Sequence, residues 1–417
     1  MTFFKDPLFA FVTLQAAGYA GYGGAEIGEI LSTIRRIPDG DEYCWHREWK
    51  ASAERLFALG ENAACGGHRV SAREAYLRAS SYYRLADYFR RDDPSNDPEI
   101  ANLADHATRA FLKAADLFDT PVHDLRIPYE GATLRAYLFL ADQGGTRRPT
   151  LVYTNGFEAT REDGWFVVAA AAVRRGYHVL VFDGPGQGAA IREERMPYRP
   201  DWEHVVGSVL NHLSARPEID DDHLILCGFG LGALLAARAA AFEKRPAAMI
   251  LNDGMFDFGQ TMTLPMPAFL QRWLDAGHDR LFTRAATMLM RTSTPFRWAT
   301  RHGQWTFGVA TIADFVRTTK AYSLRGIASQ IGCPTLVMEG DEDPLLHGQA
   351  RRVAESLTCL VDHVILRSSD GAGAHRHMGS LQLAHQVMFD WLDETLAFAG
   401  RPCATHDRAL SGADKVS

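Results

Sequence analysis

The chain has 417 residues, 47% of them apolar, with 44 Lys+Arg against 51 Asp+Glu and a net charge of -7. That much apolar material fills a sizeable core, and an acidic balance offers no basic stripe to phosphates, so disorder and nucleic-acid binding are excluded as starting points. The cysteines at 44, 65, 227, 333, 359 and 403 form no C-x-x-C pair, so neither a zinc knuckle nor a disulfide framework is indicated, and reduced thiols in a cytoplasmic protein are expected.

The opening segment, MTFFKDPLFAFVTLQAAGYAGYGG, has a short apolar run, but Asp6 stands beside Lys5 and Gln15 interrupts the run, a poor match to a secretory signal. No stretch approaches the roughly 18 apolar residues needed to span a bilayer, so no membrane role is expected. From about residue 40 to 118 the apolar residues recur at helical spacing, as Ala75, Ala79, Tyr82 and Tyr83 do in SAREAYLRASSYYRLADYFRR, which predicts a helical first domain over 1–120. Ser71 and Glu74 read as a capping box that starts this helix, and the run RRDDPSNDPE, with Pro94 and Pro98, ends it.

After Pro121 short β-type runs alternate with helices: VHDLRIPY and TLRAYLFL as an antiparallel pair, then TLVYTNG, HVLVFDGPG, HLILCGFG and AAMILNDG with helices at 161–175, 201–214 and 231–243 between them. Strands spaced by helices of this length predict a mostly parallel sheet with helices on both faces. Residues 255–328 show no clear strand and read as a helical insertion capping one end of the sheet. CPTLVMEG, VDHVILRSS and the amphipathic helix around LQLAHQVMFDWLDE then close a domain running over 121–400, leaving 401–417 as a loosely held tail.

Ligands of a parallel sheet meet the loops at the carboxyl ends of its strands. HLILC runs into Gly228-Phe229-Gly230-Leu231-Gly232 and on into an Ala-rich helix. That is the frame of a nucleophile elbow, G-x-S-x-G, with glycine where the serine belongs. A bare Gly-rich turn or a phosphate cradle is the plainer reading, but Ala233 breaks the G-x-G-x-x-G fingerprint. TLVYT ends in Asn155-Gly156-Phe157-Glu158, where backbone N–H groups at Phe157 and Leu231 would converge on an oxyanion. TLVMEG ends in Gly340-Asp341-Glu342-Asp343, and the last loop carries His375. Elbow, acid, histidine is the α/β-hydrolase order, with Asp343 orienting His375 and Asp341 as the fallback acid. His377 is given no catalytic part, Asp183 reads as structural, and Cys227, just before the turn, as a small buried hydrophobe. Asp253 ends another strand, from which some hydrolases supply an acid; an Asx-turn is the favoured reading.

Taken together, SAREAYLRASSYYRLADYF, NGFEATRED, FDGPGQGAAIRE followed by YRPDWEHVV, the elbow frame with RAAAFE, ILNDGMFDF, RHGQWTFG and GAGAHRHMG resemble one family over most of the chain. It is the α/β-hydrolase family that includes 2,6-dihydroxypseudooxynicotine hydrolase, a fungal hydrolase that shortens a heptaketide naphthopyrone, and the fermentation-respiration switch protein. The resemblance implies the α/β-hydrolase fold with a helical N-terminal domain and a cap. It also implies cleavage of carbon–carbon bonds beside ketones, or of esters, and a homodimer, with Gly230, Asp343 and His375 at the triad positions. Gly230 removes the hydroxyl that an acyl-enzyme needs. The glycine is then either natural, with His375 and Asp343 as a general base beside the oxyanion hole for hydrolysis, cyclisation or elimination, or an engineered replacement of serine. A silent binding protein that keeps the pocket and a scaffolding role for the helical domain are the other readings. A small, aromatic substrate is expected, with Asn155, Gly156, Glu158, Asp253 and Trp305 at its pocket. Tyr82, Tyr83, Trp273, Trp298 and Phe307 are further aromatic candidates, though most such residues are core. No cofactor or metal is expected, since no group has ligand spacing.

Overall fold

The computed structural model describes residues 3–143, 145–346 and 348–396. The proposed tail, Cys403 included, lies outside them.

Five helices come first: α1 (Pro7–Gly18), α2 (Ile27–Ile34), α3 (Glu42–Cys65), α4 (Arg69–Asp87) and α5 (Pro98–Ala115). Asp6 starts α1 by accepting the Leu8 and Phe9 N–H groups, and Asp97 caps α5 ahead of Pro98, a residue whose missing N–H costs nothing at that position. The capping box expected at Ser71 is not the start of α4. The helix begins at Arg69, His68 gives no side-chain cap, and Ser71 lies exposed in its first turn. Tertiary contacts decide this, because the Arg69 guanidinium donates to the Leu117 and Phe118 carbonyls and draws the helix start toward the end of α5. Trp45, Trp49, Tyr82 and Phe89 make an aromatic core for this bundle.

The sheet follows, with strands β1 (Val122–Tyr129), β2 (Ala132–Phe139), β3 (Arg148–Thr154), β4 (His178–Phe182), β5 (Ile219–Phe229), β6 (Ala248–Asn252), β7 (Thr335–Gly340) and β8 (Val361–Leu366). Their spatial order is β1-β2-β4-β3-β5-β6-β7-β8, antiparallel from β1 to β4 and parallel from there on. Both faces are covered, so the central strands are apolar on alternate residues of both sides: Val152, Leu180 and Leu226 face one core, Leu151, Val181 and Cys227 the other. Between β3 and β4 a π-helical turn (Trp165–Ala169) leads into α6 (Ala170–Val173). α7 (Gly188–Arg192) and α8 (Glu203–Ser214) link β4 to β5, and α9 (Leu231–Phe242) links β5 to β6. The segment after β6 is helical throughout: α10 (Phe258–Thr263), α11 (Ala268–Asp275), α12 (Asp279–Thr292), α13 (Thr294–Thr306) and α14 (Ile312–Thr319). α15 (Gln349–Ser356) and α16 (Leu381–Thr395) complete the order.

The helical bundle and the cap meet above the sheet. Trp298 of α13 stacks on Tyr88 at 4.7 Å and donates its indole N–H to the Tyr88 carbonyl, while Arg297 pairs with Glu42 at 2.6 Å. A cavity of about 640 Å³ lies between α1, the cap and the carboxyl ends of the strands.

Candidate active site

At the end of β5 the chain turns sharply into α9. Close approach dictates the flanking glycines: a Cβ on Gly228 would stand 2.1 Å from the Gly232 carbonyl oxygen, and one on Gly232 would stand 2.3 Å from that of Thr154. Gly230 differs. Its φ of 58° and ψ of -117° are the strained values of a nucleophile position. Yet a Cβ there meets nothing nearer than His375, at 3.6 Å from Nε2 and from Cε1. The turn therefore keeps the shape and the room for a side chain at 230 that the sequence does not supply. Cys227 is fully buried in the core and its thiol is pushed well up by burial, so it offers no substitute.

His375 is held from behind by two carboxylates. Its Nδ1 lies 2.7 Å from Asp343 Oδ2 and 2.9 Å from Asp253 Oδ2. Asp343 is itself fixed by accepting the Leu345 and Leu346 N–H groups. Asp253 stands at φ 51° after β6 and accepts the backbone N–H of Arg376 as well. An Asx-turn is thus not what Asp253 makes: the strand end delivers its carboxylate beneath the histidine loop, 123 residues away in sequence. Asp341 instead accepts from the Ser368 N–H and hydroxyl and ties the segment after β7 to the one after β8. His377, buried, binds the Ala372 carbonyl through Nδ1 and keeps Nε2 about 4.0 Å from Asp253. Burial alone would lower the His375 pKa; Asp343 and Asp253 outweigh it and raise it to about 9, while Asp253 is held down to about 2, its burial being outweighed by His375. Ligand-type atoms of Asp253, Asp343 and His375 lie within 4.8 Å of one another. The sequence order points to Asp343 beside His375, but that Asp253 joins them is decided by packing, because the three residues come from three separate strand ends.

Opposite His375 runs the loop after β3. Among the described residues, neither the Phe157 nor the Leu231 N–H donates to a protein acceptor, and both residues line the cavity together with Gly156 and Glu158. Asn155 does not line it. Its amide points into the protein, donating to the Phe182 carbonyl and to Asp183, because the buried Asp183 carboxylate has to be satisfied by surrounding donors. Arg161 and the Ala189 N–H also serve it, so Asp183 ties the loops after β3 and β4 together. Glu158 pairs with Arg376 at 2.5 Å, and Arg376 also reaches Gln15 of α1. Burial would raise the Glu158 carboxyl, but Arg376 and His375 keep it below its ordinary value.

Trp305 is not at the pocket either. It lies between the guanidinium groups of Arg91 and Arg192, with His302 edge-on to it, about two turns along the same face of α13 from Trp298. Tyr82, Tyr83 and Phe307 are core residues, and Trp273 packs partly buried against the core; only Trp298 of the aromatic candidates lines the cavity. The wall the sequence did not disclose is α1, which contributes Leu8, Phe11 and Leu14, with Phe3 from the segment before it. Phe11 lies 5.9 Å from the His375 ring.

A strand-elbow-helix turn, an acid after β7, a histidine after β8 and backbone donors after β3, on this strand order, define an α/β hydrolase. Residues 151–383 match the model of the Alpha/beta hydrolase family, and residues 33–254 match that described as Esterase FrsA-like; the chain belongs to the α/β-hydrolase family. It is 37% identical to the hydrolase LUC6 of a Fusarium species, over 94% of this chain and 97% of that protein. It is 36% identical to the 20-hydroxy-prefusarin hydrolase FUS2 of Gibberella moniliformis, over 94% and 98%. The crystal structure of 2,6-dihydroxy-pseudo-oxynicotine hydrolase shares its fold, at a TM-score of 0.72 and 22% identity, covering 93% of this chain and 98% of that one. No helix among the described residues is long and apolar enough to cross a membrane.

Proposed function

We propose that this hydrolase-family chain acts on a carbon–carbon bond beside a ketone, or on an ester, of a large and mostly apolar small molecule of polyketide type. His375 transfers the proton, and the Phe157 and Leu231 N–H groups receive the developing oxyanion. The observation that carries this reading is the placement of His375 Nε2 3.6 Å from the Cβ position of residue 230. It stands at the head of a cavity of about 640 Å³ walled by Phe11, Leu14, Met255, Phe258, Met262 and Trp298. A relative that acts on 20-hydroxy-prefusarin supports a bulky, polyketide-like substrate, and the apolar wall supports few polar groups on it.

Without a hydroxyl at 230 no acyl-enzyme forms, and water or a nucleophile within the substrate attacks in the space beside Nε2. Two carboxylates keep the imidazole protonated up to about pH 9, so its resting form donates a proton and its work as a base belongs to the alkaline side. That balance also accommodates an elimination or cyclisation. The second reading, a binding protein that keeps the pocket and turns nothing over, rests on Gly230 alone.

The test compares turnover of aryl esters and β-diketones by the chain as it stands and by Gly230→Ser, with His375→Ala in both backgrounds. Turnover by the glycine form that vanishes with His375→Ala supports chemistry without a covalent intermediate. An inert glycine form, rescued by serine by ~10³-fold or more, identifies a disabled serine hydrolase. Inertness of both forms toward the whole panel counts for the binding protein.

A further inference from the structure

The loop after β3, which carries the Phe157 donor, is gripped through its carbonyls. Tyr198, between α7 and α8, donates its hydroxyl to the Gly156 carbonyl at 2.9 Å. His302 of the cap helix α13 contacts the Phe157 carbonyl through Nε2 at 2.8 Å. Arg84 of α4, in the helical bundle, donates Nη2 to the Glu158 carbonyl at 2.9 Å. Three consecutive carbonyls are thus each held by a side chain from a different part of the molecule. The described peptides include no cis bond, and in a trans peptide the C=O and the N–H of one plane point in opposite directions. A donor fixed on the Gly156 oxygen therefore turns the Phe157 N–H the other way.

Each grip is itself constrained. His302 Nδ1 receives the Arg91 Nε–H at 3.1 Å, which leaves its proton on Nε2, facing the Phe157 carbonyl. Arg91 and Arg84 both bind the buried Asp87 carboxylate. Tyr198 packs on Phe307 at 4.9 Å, its ring against Gly186, where a Cβ would stand only 2.2 Å away.

On these observations, and resting on the oxyanion-hole reading above, we propose that Tyr198 is a positioning residue that aims the Phe157 N–H at the cavity, and that His302 and Arg84 are positioning residues that hold the next two peptides so that the Phe157 N–H keeps this direction. The helical domain and the cap then build the anion site as well as roof it. A role that merely shaped the cavity would affect neutral and anionic ligands alike, whereas aiming the donors affects the anion selectively.

The probes are 2-naphthylmethylphosphonate, anionic and tetrahedral, and 2-naphthyl methyl ketone, neutral, with dissociation constants measured by calorimetry for the full chain and its variants. We expect the unaltered chain to prefer the phosphonate. Tyr198→Phe, which removes one hydroxyl, and His302→Leu each weaken phosphonate binding by about 10-fold with ketone binding unchanged. His302→Gln, which keeps a donor for Phe157 and an acceptor for Arg91, retains the preference. Equal losses for both ligands, or none in Tyr198→Phe, overturn the positioning role while leaving the functional reading in place. Absence of any phosphonate preference in the unaltered chain overturns the functional reading and this inference with it.

Discussion

Of the three glycines of the GFGLG turn, Gly230 alone has room for a side chain. Gly228 and Gly232 each abut a backbone carbonyl at little more than 2 Å from where a Cβ would be. Gly230→Ser is therefore expected to fold, with a loss of about 1–3 kcal/mol for the positive φ, read as a lowered melting temperature. Gly232→Ala, by contrast, should give little folded protein, checked by soluble yield and circular dichroism. At His375 the pH dependence has a defined sign. Its pKa is raised from 6.5 to about 9 by its carboxylates, so its stabilising interaction is complete below 6.5 and is lost as pH rises toward 9. The melting-temperature gap between the native chain and His375→Gln should narrow across that window. Turnover in which the ring gives up a proton should fall above pH 9, and turnover in which it accepts one should rise toward it. Asp253→Asn and Asp343→Asn should each move that inflection downward, because each removes one of the two charges that hold the proton.

At the scale of elements, α1 is a wall of the site supplied by the first residues of the chain. Phe11 stands between the cavity, the His375 ring and the Arg376 guanidinium, 5.6 Å above its ring. Phe11→Ala should weaken binding of an aromatic ligand by about 5-fold, on the order of 1 kcal/mol for a lost aromatic contact, with a smaller effect on an aliphatic ligand of equal size, measured by calorimetry. The periodicity of this segment shows apolar residues and a helix. It does not show which partner they face, because an amphipathic stripe carries no information about what covers it. The same limit applies to Trp305 and Trp298, seven residues apart on α13: one is clasped by arginines and the other opens on the cavity.

At the scale of the molecule, the helical bundle and the hydrolase domain are knotted together below the surface. Asp87 of α4 binds Arg84 and Arg91 of its own domain and Arg192 of α7, and the last of these contacts is 2.7 Å. Tyr88 and Trp298 stack across the same seam. A buried carboxylate shared in this way leaves an uncompensated charge if either domain departs. We expect one cooperative transition in a calorimetric scan, and Asp87→Ala to lower its midpoint sharply rather than split it in two.

The sequence by itself determined the class of fold, since β and helical runs alternate with turn residues where a parallel sheet requires them. It also placed the elbow glycines and the pairing of Asp343 with His375, because strand order fixes which loops share an edge of the sheet. What only the tertiary structure decided are contacts between segments far apart in the chain. Asp253 joins His375 from another strand end, Arg376 pairs with Glu158, and Tyr198, His302 and Arg84 reach the carbonyls of one loop. Local patterns report what a residue's neighbours in sequence are doing; the partners of these groups are set by how separate elements pack, and so by the direction in which each side chain leaves its own helix or strand.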